Sequence, residues 1–390
     1  MSTSPKTGDA YLLYHSIGQY EGKKDDMAAG LADFCDVWGA ANGDQWGDVL
    51  GKRQEFIDLW AELIHAPKGT VTTTESVTTG LMSVIGALPE GTLRGKRVLV
   101  AEDGFPSLHF LLTGLAKRFE FTLTTVPFRQ GGNWVEAEDI ISEWDETVAV
   151  ALLTWVSSTS SHRLDIPQLV AHGREMGTII GVDLTQAAGL LPYDVTAPKV
   201  DFALSTSLKW MCGTPGAGMI YMDHDLLLRC EPELRGWFSQ DNPFSWDLDK
   251  FKFADDARRL DSGTPSSVSA LASLPAMRWR MAQDSDKIAA HNRKLTGLLQ
   301  EGLEDMGLIL ASPTNPDERG GSLMVNLPDS LPAAEVVAAL REQAIFMDNR
   351  SQILRMSPGV LTTEDGVMRT LKALREIVQP AESRTTVATL

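Results

Sequence analysis

At 390 residues the chain exceeds the ~100–200 typical of one domain, so two packed domains or one large α/β domain with an appendage is expected. Its 43% hydrophobic and 22% charged residues exclude collagen, coiled coil and bulk disorder. A net charge of −17 runs against general nucleic-acid binding and points to small-molecule chemistry.

The opening MSTSPKTGDAYLLYHS lacks a charged segment followed by a long apolar one, and no stretch approaches the ~18 apolar residues of a membrane span. Cys35, Cys212 and Cys230 are widely separated, without a CxxC pair or a neighbouring His cluster. Neither a disulfide framework nor a zinc site is expected, and reduced cytoplasm is the expected location. Residues 26–64 carry apolar positions at helical spacing, broken by Gly and Asn. TTTESVTTGLMSVIGAL then reads as a capped helix start before an apolar helical run.

Short apolar runs follow: KRVLVAED, FEFTLTTVPF, TVAVALLTWV, GTIIGVDL, VDFALSTS and GAGMIYM. They are bounded by Gly, Pro or Asp and interleaved with helical stretches such as IPQLVAHGREMG, which predicts βαβ units and a mostly parallel sheet of the α/β class. Residues 267–305 predict one or two long helices. GGSLMVNLPD, AAEVVAALREQ, ILRMSP and TEDGVMRTLKALREIV then predict a small α+β domain, and the last ten residues, AESRTTVATL, a frayed end. The expected division is an N-terminal segment 1–54 joining the small domain, a large domain 55–280 and a C-terminal small domain 281–390.

Chemistry concentrates in SLKWMCGTPGAGMIYM, where Lys209 follows a short apolar strand and precedes a Gly-rich turn. Asp183 closes the apolar run GTIIGVD upstream, so both residues fall at neighbouring strand C-termini, where α/β sheets gather ligands. An amine and a buried carboxylate so placed meet the needs of pyridoxal phosphate, which takes a Schiff-base lysine and an acidic partner for its ring nitrogen.

SLKWMCGTPGAGMIYM resembles the lysine segment of class V, fold-type I pyridoxal-phosphate enzymes, and the wider chain, from residue 11 to about 376, resembles kynureninases. YLLYHSIG, GFPSLHF, DLTQAAGLLPYDV, RGWFSQDNPFSWD, SGTPSSVSALASL and DNRSQILRMSP match that family in order. The resemblance implies Lys209 as the Schiff-base residue, Asp183 on the pyridine nitrogen, Gln186 near the phenolic oxygen and Phe105 stacked on the ring. Ser76 and the amide of Val77 would hold the phosphate, with Trp237 and Thr264 adding donors. In related enzymes the GTP-type loop crosses from a second subunit, so a homodimer with shared sites is implied. Arg355 would take the substrate carboxylate through paired hydrogen bonds. Arg350 reads as structural. Ser16 and Gly18 would complete the amino-acid site.

Five positions depart from the family. Leu208 stands where it has Tyr, Leu108 where it has Asp, Gln186 where it has His and His15 where it has Asn; RGWFSQD also lacks a family His. A pocket of Leu108, Leu208, Tyr14 and His15 would suit an aromatic or thioether side chain, with Tyr14 or His15 as replacement proton donor. Two reactions stay open: cleavage at Cβ or Cγ of an amino acid by a hydrolase or C–S lyase, and transamination. A cysteine desulfurase is disfavoured because no cysteine follows Cys230, and a DNA-binding regulator because a basic domain is lacking.

Overall fold

The structure is a computed structural model that describes residues 8–387, with side chains as far as residue 378. Two helices open it, α1 (Lys23–Trp38) and α2 (Gln45–Leu63), parted at the Gly/Asn break that the sequence predicts. The main sheet uses β1 (Val71–Thr74), β2 (Arg97–Ala101), β3 (Thr122–Val126), β4 (Val148–Thr154), β5 (Ile179–Asp183), β6 (Phe202–Thr206) and β7 (Gly218–Met222). Between them run α3 (Val77–Ile85), α4 (Pro106–Phe119), α5 (Ala137–Ser142) and α6 (Ile166–Met176), with α7 (His224–Arg229) after β7.

The seven strands stand in the order β1-β7-β6-β5-β4-β2-β3. From β6 to β3 all neighbours run parallel, whereas β7 is antiparallel to β6 and β1 to β7. Helices cover both faces, which is why the central strands read as unbroken apolar runs rather than as alternations. Successive residues serve opposite cores: Ala151 and Leu153 join one with Ile180, Tyr221 and Trp60, while Val150 and Leu152 join the other with Leu81, Leu112 and Phe202. Strand β1 is missing from the sequence reading because VTTT carries three hydroxyl side chains and imitates a helix cap.

After α8 (Val268–Met281) and α9 (Ser285–Glu304), a second sheet forms from β8 (Ile309–Leu310), β9 (Leu323–Asn326), β10 (Asp348–Arg350) and β11 (Ile353–Met356). It is antiparallel, in the order β10-β11-β9-β8. α10 (Ala333–Glu342) and α11 (Glu364–Val387) complete this part. Ala10 and Leu12 are buried in its core, and Tyr11 and Leu13 bridge to Phe346 and Ser357. The expected frayed tail is corrected in part, since α11 runs to Val387; residues 388–390 lie outside the described residues. No helix among the described residues is long and apolar enough to cross a membrane.

Candidate active site

Strands β5 and β6 are parallel neighbours, so Asp183 at the end of β5 and Lys209 just beyond β6 reach the same edge of the sheet. Both border a cavity of about 350 Å³, together with Ser76, Val77, Thr78, Phe105, Ser107, Leu108, Gln186 and Leu208. Lys209 Nζ lies 5.5 Å from the centroid of the Phe105 ring, which is the span of a cation–π contact. Asp183 Oδ1 accepts from the Thr185 N–H at 2.9 Å, and Thr185 Oγ1 is buried without a partner in the cavity wall.

Burial pulls the Lys209 ammonium down to about 8; the Asp183 carboxylate resists this and Arg355 adds to it. Asp183 is pushed up by burial, against the opposing pull of Thr185 and Lys209. A lysine so depressed yields its neutral amine near physiological pH. In the cofactor-free protein, modification of Lys209 by an amine-selective reagent, followed by peptide mass spectrometry, will therefore rise with pH around a midpoint near 8. An ordinary midpoint above 10 would contradict the buried setting.

Ser76 caps α3: its hydroxyl accepts from the Thr79 N–H at 3.1 Å, and Thr79 Oγ1 accepts from the Ser76 N–H at 3.0 Å. This leaves the first N–H groups of α3, at Val77 and Thr78, beside the cavity, where a helix terminus attracts an anion. Phe105 occupies the N-cap of α4, held there by Pro106 at the first helical position. Gln186 Nε2 donates to the His15 carbonyl at 3.2 Å, tying the N-terminal segment to the cavity wall.

Other residues predicted for the site stand apart from this cavity. The Tyr14 hydroxyl donates to the Gln19 carbonyl at 2.6 Å and accepts from the Leu361 N–H at 3.1 Å, while its ring stacks on Trp210. With the hydroxyl committed to backbone and the residue buried, Tyr14 is a packing residue here. Ser16 sits in the turn that closes on the Leu13 carbonyl. Gly18 packs beneath the lysine, donating its N–H to the Leu208 carbonyl at 2.9 Å. A Cβ at Gly18 would stand 1.8 Å from the Lys209 carbonyl oxygen, so only glycine fits.

Trp237 packs between Trp46 and Phe238, and Thr264 borders a separate cavity with Arg53 and Asp261. Neither meets Lys209 within one chain. His109 lines an adjoining cavity of about 440 Å³ and faces Thr125 Oγ1 at 3.1 Å; His162 stacks on Trp134. Cys212 is buried, and burial pushes its thiol up to about 12.

Arg355 is buried just behind the cavity wall. Its Nε and Nη2 donate to Asp348 at 2.8 and 2.5 Å, and Nη1 donates at 3.1 Å to the carbonyl of Ser158, a cavity residue. His15 joins them, with Nε2 at 2.9 Å from Asp348 Oδ1 and Nδ1 at 2.6 Å from Ser357 Oγ. Asp348 escapes the sequence reading. The signal was present, since a two-residue turn after Arg350 pairs 350 with 353 and therefore 348 with 355.

Residues 53–369 match the family described as aminotransferase class-V. The chain belongs to that family. Among curated relatives of this class V chain, kynureninase of Geobacillus thermodenitrificans is 27% identical over 346 residues, covering 86% of this chain and 79% of the relative. Kynureninase of Bacillus thuringiensis is also 27% identical, over 395 residues, covering 97% of this chain and 90% of the relative. The fold is shared with the apo cysteine desulfurase of Thermococcus onnurineus, at a TM-score of 0.82 and 18% identity, covering 97% of this chain and 100% of that one. It is shared equally with the C-DES protein, solved with glycine covalently linked to its PLP cofactor, at a TM-score of 0.84, 19% identity and coverages of 96% and 100%. Class V enzymes use pyridoxal phosphate, and the cavity fits it. An amine, a buried carboxylate, an aromatic face and a capped helix N-terminus surround one space.

Proposed function

We propose that this pyridoxal-phosphate-dependent class V enzyme cleaves the side chain of an L-amino acid at Cβ or Cγ in the manner of a kynureninase. The observation that carries the reading is the meeting of Lys209, Asp183 and Phe105 around one cavity at the sheet edge. When bound, the cofactor acts as an electron sink for the bond being broken. Lys209 holds it covalently and moves the proton at the substrate Cα. Asp183 keeps the ring nitrogen protonated, Phe105 and Gln186 orient the ring, and Ser76 with the Val77 N–H holds the phosphate.

Arg355 receives the substrate α-carboxylate. Leu108 and Leu208 line the cavity where the kynureninase pattern carries polar side chains, and an apolar or aromatic substrate side chain matches such walls. His15 is turned toward Asp348 and Ser357, and the Tyr14 hydroxyl toward backbone, which favours water or Lys209 over either as final proton donor. The reading includes a cytoplasmic homodimer in which the loop of Thr264 serves the partner's site.

Purified protein supplied with pyridoxal phosphate and L-kynurenine will release anthranilate and alanine, identified by mass spectrometry, as water adds across the Cβ–Cγ bond. A 2-oxo acid formed only with an added amino acceptor would replace this reading with transamination. Pyruvate from L-cystine, with kynurenine untouched, would replace it with C–S cleavage.

A further inference from the structure

The hairpin β10–β11 sets Asp348 directly opposite Arg355, and the carboxylate takes the Nε and Nη2 edge of the guanidinium in a two-pronged contact. A third bond runs from Nη1 to the Ser158 carbonyl. A guanidinium has five N–H groups in a rigid plane, so three fixed bonds leave two N–H groups with a fixed direction. Asp348 is itself braced by His15, whose other ring nitrogen meets Ser357 Oγ, which in turn lies 2.6 Å from Ser322 Oγ. Arg355, His15, Ser357 and Ser322 are all buried. This chain of contacts gives the arginine head little freedom to swing.

Ser322 just before β9, Ser357 just after β11 and His15 of the N-terminal segment each supply one anchor, so the assembly is held from three sides. Without Asp348 the arginine would keep its charge and lose its orientation. Resting on the reading of Arg355 as the carboxylate partner, we propose that Asp348, braced by His15, is the positioning residue for substrate recognition. It holds the plane of Arg355 so that its two remaining N–H groups receive the α-carboxylate of the amino acid.

The test compares the cofactor-loaded wild type with Asp348→Asn and His15→Asn. Each is titrated with L-kynurenine and with kynuramine, the same molecule without its carboxylate, through the visible absorption of the cofactor. Asp348→Asn should weaken L-kynurenine about ten- to hundredfold, the worth of a charge-assisted hydrogen bond, and kynuramine less than twofold. KM should rise more than kcat falls. His15→Asn, which removes only the brace, should shift the same comparison less and in the same direction.

Equal weakening of both ligands, or no change in either, would overturn the positioning role. Arg355→Gln serves as the reference: if it weakens the two ligands equally, the carboxylate reading fails and this proposal with it. A wild-type spectrum unmoved by L-kynurenine would sink the kynureninase-type substrate instead. L-alanine and ethylamine then carry the same paired comparison, with the same outcomes deciding it.

Discussion

Lys209→Ala will lower turnover by about 10⁴-fold, the upper end of what a positioned proton-transfer group contributes, because the variant loses the covalent anchor and the base together. The expected result is sharp because the residues bordering the cavity offer no substitute amine. Product formation by the reconstituted variant measures the loss. Borohydride reduction of the wild type, then peptide mapping, should place the trapped cofactor on Lys209 and on no other lysine. A trapped adduct of equal yield elsewhere in the variant would refute the assignment.

Asp183→Asn is the second large effect. The amide keeps the shape of the side chain and removes the negative charge, so cofactor should still bind while turnover falls by about 10²–10³-fold, the scale of one lost electrostatic contact at a reacting centre. A second consequence has a definite sign. Asp183 is what holds the Lys209 ammonium up against burial, so without it the lysine must titrate lower still. In the cofactor-free variant, the pH midpoint for modification of Lys209 will move below the wild-type value near 8. A midpoint that stays in place, or climbs, would mean that the two side chains do not sense each other.

Much of the main sheet is legible in the chain because its central strands are covered on both faces. Runs such as VALL and IIGV have no polar position to disguise them. The direction of β7 is not legible. GMIYM is as apolar as its parallel neighbours, and only the connection over residues 207–217 returns the chain antiparallel. β1 hides behind its threonines, two of which receive Arg53 in a buried contact with Asp261 rather than facing solvent.

In the site, the residues that the structure brings together are those tied to strand ends and helix caps. Lys209, Asp183, Phe105, Ser76 and Val77 all border one space because strand termini and helix caps are local features. Tyr14 and Asp348 were misjudged or missed because their roles depend on partners more than 300 residues away, Leu361 for one and His15 for the other. Trp237 and Thr264 do not approach Lys209 within a single chain.

The seating of Gly18 against the Lys209 carbonyl bears on how the enzyme is made. The segment holding Gly18 leaves the ribosome long before some of its partners, since the neighbouring Tyr11 and Leu13 bridge to Phe346 and Ser357, more than 300 residues further on. During synthesis the large sheet is complete when β7 emerges, well before those partners exist. Tyr11 and Leu13 must therefore wait for those partners, although Gly18 can meet the Leu208 carbonyl as soon as the lysine segment is made. A chain cut short before Ser357 would carry the full sheet and still be an unfinished catalyst.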